Sequence, residues 1–337
     1  MVYLPVSPRP QTYFSLYQAS LPYSLFPAYL WPKPSPRKQA NHANPDKRLE
    51  EPASGRRKDA KMPELPEAET IRRQLAPLTL GRKITSVNLR TQSLLRYPRG
   101  AAAFRRGLKG RQITRLLRKG KALVFILEEA FSLVVRLGMS GTLKVESPDS
   151  PHDKHLHLRL GLEGGGELRF RDPRKFGRLS LREGTALDSF PEFARYGPEP
   201  LSEDFNPAYL AQTLKNRKAR LGIILMDQRV VAGIGKIYAD EICFRAGLRP
   251  TRAAGRLTRK EVERLVGAAR EVLEEAIGDR GTTIGDGAYQ DAYGLAGGFR
   301  PAVYQRSGRP CLRCGRPLRR TRLSNGRGMH WCPNCQK

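Results

Sequence analysis

Four cysteines near one end set the firmest limit on what this chain can build. They stand as Cys311-Leu-Arg-Cys314 and Cys332-Pro-Asn-Cys335, with seventeen residues between the pairs. Two Cys-x-x-Cys knuckles at that separation supply four thiolates in a tetrahedron around one Zn2+ ion, a closed structural site with no open position for catalysis. The hairpin between them has too little apolar content to fold unaided, so metal binding and folding are coupled there. It carries Arg316, Arg319, Arg320, Arg322 and Arg327, cations suited to a phosphate backbone. The fifth cysteine, Cys243, falls in a helical stretch and reads as a small buried apolar residue.

The remaining 300 residues must supply the cores. A chain of 337 residues is long enough for two packed domains besides the cysteine module. Lysine and arginine total 61 against 32 acids, a formal net charge of +29, which points to a polyanionic partner and first of all to nucleic acid. No apolar run approaches the roughly 18 residues of a membrane span, and the first thirty residues lack the plan of a signal peptide. A soluble, intracellular protein is expected.

Residues 1–61 hold ten of the 26 prolines and then a charged run, too little apolar surface to offset ordering, and read as a disordered extension. A transit peptide fits the absence of acids before Asp46, but the prolines would break its helix. The character changes at Pro63. Pro66 suits a first helical turn, Glu67 and Glu69 complement the helix dipole, and Ala68, Ile71 and Leu75 recur at helical spacing before Gly81 ends the pattern. Residues 83–183 read as strands: Leu156, Leu158, Leu160 and Leu162 alternate strictly, and Gly164–Gly166 signals a hairpin. The expected fold is α+β: an N-terminal β-sandwich with a leading helix over 62–189, a hinge at 190–206, a helical domain over 207–300, and a zinc-finger hairpin over 301–337. Within the helical part, Thr258 and Glu261 form a capping box ahead of the stripe Val262, Leu265, Val266, Ala269 and Leu273. Residues 281–300 are rich in glycine, without periodicity, and read as a mobile loop.

Three short motifs could carry chemistry. In GIGKIYADE, Gly233 and Gly235 let backbone amides approach an anion beside Lys236, although on pattern alone a plain inter-helix turn is the better reading. The loops LGMSG (137–141) and DPRKFG (172–177) offer Met139, Arg174 and Phe176, a long apolar residue, an arginine and an aromatic that could wedge into a base stack; either loop alone reads more simply as core.

Taken together, PELPEAET, RKGKALVF, LGMSGTLKV, KHLHLRL, DPRKFG, YGPEPLSEDF, LMDQRVVAGIGKIYADE and VYQRSGRPCLRCG…CPNCQK occur in the order of the formamidopyrimidine-DNA glycosylases, which residues 62–337 resemble. The resemblance implies a β-sandwich, a helix-two-turn-helix domain and a zinc hairpin. It implies a base-excision repair enzyme that removes oxidised purines, 8-oxoguanine and formamidopyrimidines, and then nicks the strand by β,δ-elimination, acting as a monomer on double-stranded DNA containing such lesions or abasic sites. A cytoplasmic, nucleoid-associated location is expected with it.

By that resemblance Pro63 is the nucleophile, through the free amine it has when it begins the chain. Such an amine has an unperturbed pKa of about 7.7–8.0, against about 10.4 for lysine. Glu64 shuttles protons at the sugar, Lys121 assists base loss and elimination, and Arg327 serves the later elimination and binds phosphate. Glu67 and Glu241 match further acids near the site. Met139, Arg174 and Phe176 match the trio that fills the gap left by a flipped nucleotide, His155 and Arg217 match DNA-backbone positions, and 282–300 matches the loop that closes over the extruded base, about two residues short. The family's usual asparagine is here Lys236, its usual lysine Gly222, and its usual threonine after the finger arginine Met329; Lys236 could hold the same phosphate as a point charge.

Two other readings stand beside this one. An endonuclease VIII-like enzyme for oxidised pyrimidines would begin PEGPE rather than the PELPE present here. A non-catalytic DNA-binding protein follows if Pro63 stays internal, because its nitrogen is then an amide acylated by Met62. A misassigned start at Met62 followed by loss of that methionine, or proteolytic removal of everything before Pro63, restores the amine.

Overall fold

The computed structural model describes residues 63–284, 289–324 and 326–337. The expectation of disorder over 1–61 lies outside them. Helix α1 (Leu65–Thr79) has Pro66 in its first turn and buries Leu65, Ala68, Ile71 and Leu75 along one face. It stops at Leu80, whose backbone is extended, and Gly81 then takes a φ of +76° open to glycine.

Nine strands follow: β1 (Ile84–Leu89), β2 (Leu95–Tyr97), β3 (Ile113–Lys119), β4 (Ala122–Leu127), β5 (Phe131–Arg136), β6 (Thr142–Glu146), β7 (Leu156–Leu162), β8 (Glu167–Arg171) and β9 (Arg178–Glu183). They form a four-stranded sheet in the order β1-β7-β8-β6 and a five-stranded sheet in the order β2-β9-β5-β4-β3, antiparallel except for β2 against β9. Leu158, Leu160 and Leu162 of the first sheet share one core with Leu123, Phe125, Leu133 and Val135 of the second, as their alternation requires. Burying each such side chain contributes about 1.5–3 kcal/mol.

Two details depart from the sequence reading. A helix, α2 (Ala101–Leu108), interrupts the strands and buries Phe104 and Leu108. The hinge stretch begins as packing rather than linker: Phe190 and Phe193 cover Ala122, Val124, Ile126 and Val134 on the outer face of the five-stranded sheet. That second covered face is why every residue of β4 is buried.

The helical part comprises α3 (Pro207–Leu214), capped by Asn206, α4 (Leu221–Leu225), α5 (Lys236–Arg245) and α6 (Arg259–Gly278), capped by Thr258 with Glu261 reaching back. Its core gathers Leu221, Leu225, Ile237, Tyr238, Ile242, Leu265 and Leu273. Leu65 from α1 belongs to this core while Ile71 and Leu75 belong to the sheet core, so the start of α1 sits at the junction of the two.

The chain closes with the hairpin β10 (Arg319–Arg322) and β11 (Gly328–Trp331), whose Met329 is buried in the helical core. The described part of the glycine-rich stretch is pinned rather than loose. Asp291 is fully buried and accepts from Gln74 Nε2 at 2.9 Å, Gln74 Oε1 accepts the Ala292 N–H, and Tyr289 joins the sheet core. Residues 285–288 of the expected base-closing loop lie outside the described residues.

Candidate active site

A cleft of 570 Å³ opens where the start of α1, the β3–β4 turn, the two sheet-domain loops, the start of α5 and the finger hairpin meet. Pro63, Glu64, Lys121, Met139, Phe176, Lys236 and Arg327 all line it. Segments up to 264 positions apart in the chain thus place the expected nucleophile, acid, lysine, wedge residues and finger arginine around one space.

Glu64 is buried against the amino end of α5. Its Oε2 accepts the Gly235 N–H at 2.7 Å and its Oε1 the Ile237 N–H at 2.9 Å, so a carboxylate from the far end of the chain meets the helix's unpaired donors and positive dipole end. The GIGK turn is therefore more than a connector. Gly233 holds a φ of +86° and its carbonyl accepts the Leu65 N–H at 3.1 Å. At Gly235 a Cβ would overlap both the Glu64 carboxylate and Lys121 Nζ, so only glycine lets these two groups approach the same spot. Gln228 staples the turn, its Oε1 accepting from Gly233 N and its Nε2 donating to Ile234 O, each at 2.8 Å.

Burial lowers the pKa of the Lys121 ammonium, with Arg327 acting in the same sense, while Glu64 and Glu67 pull it back up. Glu67 sits behind Glu64: its Oε2 accepts the Glu64 N–H at 2.8 Å, and its Oε1 accepts from Tyr238 Oη at 2.5 Å and Thr282 N at 2.8 Å. Burial, reinforced by the Glu64 charge, pushes its pKa up to about 7. Glu241 has a different place. Its carboxylate accepts the N–H groups of Ala302, Val303 and Tyr304 at 2.8–2.9 Å and does not line the cleft, and burial raises it to about 7 as well.

The wedge loops form one rim. Phe176 is 46% exposed, which removes the reading of it as a core residue, and Arg174 stacks over its ring at 5.0 Å. Asp172, fully buried, ties both loops together: Oδ1 accepts from Ser140 Oγ at 2.5 Å and Arg174 N at 3.3 Å, and Oδ2 accepts the Gly177 N–H at 2.6 Å. Lys175 between them has a φ of +56°, a left-handed turn just ahead of Phe176.

On the finger side, Arg327 donates from Nη1 to Met226 Sδ at 3.3 Å. Lys236 is paired with Asp240 rather than presented alone to solvent. His155, at the entrance of β7, and the exposed Arg217, whose Nε donates to Thr213 O at 2.7 Å, do not line the cleft. Arg136, Arg178, Tyr196, Met226 and Tyr304 do line it, and sequence reasoning singled none of them out; the aromatic of the quoted YGPEP segment was the available signal for Tyr196.

The four sulfurs of Cys311, Cys314, Cys332 and Cys335 lie within 4.8 Å of one another, with Cys311–Cys335 at 3.9 Å and Cys314–Cys332 at 3.5 Å. Four thiolates at about 2.3 Å from one ion stand about 3.8 Å apart, so the set fits a single tetrahedral zinc. The Arg313 and Cys335 N–H groups each approach a cysteine sulfur at 3.4 Å, as expected around thiolate knuckles. The finger holds one structural zinc.

A sandwich, a helix-two-turn-helix domain and a four-cysteine finger closing on one cation-lined cleft define a zinc-finger protein of the helix-two-turn-helix class. The pattern of the formamidopyrimidine-DNA glycosylase N-terminal domain matches residues 62–179, that of the same enzyme's H2TH domain residues 196–287, and that of the zinc finger found in FPG and IleRS residues 308–337. The formamidopyrimidine-DNA glycosylase of Thermus thermophilus is 47% identical over 278 residues, covering 82% of this chain and 98% of its own. That of Geobacillus kaustophilus is 42% identical, covering 82% and 100%. Among solved structures, the Thermus thermophilus protein superposes with a TM-score of 0.73 at 44% identity, covering 81% of this chain and 98% of its own. The Lactococcus lactis Fpg in complex with an abasic site containing DNA superposes with 0.74 at 32% identity, covering 81% and 99%. The chain belongs to the formamidopyrimidine-DNA glycosylase family.

Proposed function

We infer that this protein excises oxidised purines from double-stranded DNA and cuts the strand at the resulting abasic site, with Pro63 as nucleophile. The observation that carries the reading is the convergence of Pro63, Glu64, Lys121 and Arg327 on one cleft, with the Met139 and Phe176 rim facing it. The family pattern begins its match at residue 62, directly before Pro63.

The chemistry follows from a secondary amine. The Pro63 nitrogen bonds to the sugar's anomeric carbon as the bond to the base breaks, the base leaving with the electron pair. Glu64 takes the proton that the Pro63 nitrogen sheds and passes it to the ring oxygen as the sugar opens, giving an iminium ion. That cation acidifies the adjacent carbon, so loss of its proton expels the 3′ phosphate, and a second proton loss further along expels the 5′ phosphate. In this reading Glu64 and Lys121 move these protons, and Arg327 holds a departing phosphate. Met139, Arg174 and Phe176 occupy the stack that the flipped nucleotide leaves, and His155 and Arg217 extend backbone contacts beyond the cleft. A nucleoid-associated location accompanies such a substrate. Among the described residues no helix is long and apolar enough to cross a membrane.

The direct test offers protein beginning at Pro63 duplexes carrying either 8-oxoguanine or an oxidised pyrimidine. Faster release of 8-oxoguanine with strand cutting is expected. Preference for the pyrimidine would favour an endonuclease VIII-like enzyme, and binding without release would favour a damaged-DNA-binding protein.

A further inference from the structure

Asp240 is fully buried on α5, and three donors converge on its Oδ2: Lys236 Nζ one turn earlier, the backbone N–H of His330 at 3.1 Å, and His330 Nδ1 at 2.8 Å. Its Oδ1 has no hydrogen-bond partner among the described residues. A buried carboxylate persists only where its charge is compensated, and Lys236 is the ammonium that does so. His330 lies on β11, three residues beyond Arg327. Glu241, the next residue on α5, binds the backbone at 302–304, including that of Tyr304, whose ring lies 4.9 Å from Lys236 Nζ and 5.4 Å from the His330 ring. Two consecutive acids of α5 therefore hold both chain segments that bring the finger to the cleft.

The strand that carries His330 is also seated through its neighbour Met329, which packs against Gly222 of α4. A Cβ on Gly222 would come 2.6 Å from Met329 Cε, so the Met329 side chain fills the space beside α4. The cation beside Asp240 comes from α5 itself, one turn earlier.

We propose that Lys236 is a positioning residue: by neutralising Asp240 it lets that carboxylate fasten β11 to α5, and so fixes where Arg327 enters the cleft. It is not a phosphate contact. Although it lines the cleft, Lys236 has its ammonium already engaged by Asp240. The proposal rests on the role given above to Arg327 in the second elimination.

The test uses zinc-loaded protein beginning at Pro63, in which Trp331 is the sole tryptophan. Lys236→Met leaves Asp240 buried without its cation. It should lower the second elimination relative to the first at a preformed abasic site by about tenfold or more and shift Trp331 emission, with the salt dependence of DNA binding unchanged. Adding Asp240→Asn should restore the product ratio and the emission, because a neutral amide oxygen accepts the His330 N–H without needing an ammonium, and Lys236→Arg should behave as the unaltered protein. If instead Lys236→Met reduces the log–log salt slope by about one and Asp240→Asn gives no rescue, Lys236 is a phosphate contact and the proposal fails. Unchanged product ratio and emission would overturn it equally. Should the unaltered protein cut no abasic site, the functional reading falls, while Trp331 emission and the salt slope still decide whether Lys236 positions the finger.

Discussion

Glu64 closes the amino end of a helix that starts 172 residues further along the chain, its Oε1 accepting the Ile237 N–H at 2.9 Å. The bond joins the start of α1, whose later turns pack on the sandwich, to the first turn of α5, which belongs to the helical domain. The acid assigned to proton transfer is thereby aimed by the domain junction itself, and small changes at that junction should read out as chemistry.

Gly235 is the most sensitive place to make one. Gly235→Ala places a methyl where the Glu64 carboxylate and Lys121 Nζ now lie. Base release should fall by at least about 100-fold, within the range removed with one positioned acid–base group, while zinc content and affinity for undamaged DNA stay near those of the unaltered protein. Single-turnover kinetics beside filter-binding would check it; activity within a few-fold of normal would mean that the two groups do not need this approach.

Asp172 should control the wedge without touching DNA. Asp172→Asn removes the charge that ties Ser140, Arg174 and Gly177 together. Excision of a lesion paired in a duplex should slow more than cleavage at a preformed abasic site, because the latter needs less unstacking. Equal losses on the two substrates would point to general destabilisation of the sandwich.

Glu67 predicts a pH signature. Its folded pKa is raised to about 7 from an ordinary 4.5, so between those values the folded protein holds a proton that the unfolded chain has released. Stability should therefore fall as pH rises through this window and level off above it, by at most about 1.4 kcal/mol per pH unit for each such group. Glu241, also at about 7, adds a second contribution of the same sign. Glu69 and Glu261, lowered to about 2, act only at more acid pH, where their stabilisation is lost. Urea midpoints from pH 5 to 8 should show Glu67→Gln with about half the slope of the unaltered protein; an unchanged slope would assign the effect elsewhere.

Zinc removal should separate the modules. Cys335→Ser should release the metal and weaken DNA binding by about tenfold or more while the thermal transition of the sandwich hardly moves. The finger's core, Phe244, Val303 and Leu318 around the cysteines, is distinct from the sandwich core.

What the sequence made legible was whatever repeats locally. The two knuckles, the α6 stripe behind Thr258 and Glu261, and the Leu156–Leu162 alternation each carry their own period or spacing. Helix α2 was missed because eight residues between strands give barely two turns of pattern, and three of them are alanines with no strong face. The packing of Phe190 and Phe193 on an outer sheet face has no period at all. Residue types could suggest the wedge but not decide it, since an exposed Phe176 and a core phenylalanine look alike in a chain. Asp172 and Asp240 are illegible for a different reason: each joins near neighbours to a segment remote in sequence, Ser140 for one and His330 for the other, and that meeting exists only in the folded state.

Covalent trapping decides whether the nitrogen of Pro63 is the nucleophile. Protein whose terminus is verified as Pro63 by mass spectrometry is mixed with 8-oxoguanine DNA and borohydride, alongside a verified uncleaved 1–337 chain. An adduct is expected from the shorter protein, mapped by peptide sequencing to Pro63. From the longer one DNA binding without an adduct is expected, because Met62 holds that nitrogen as an amide. Equal trapping by the uncleaved chain, or an adduct mapped to Lys121, would show that Pro63 is not the nucleophile.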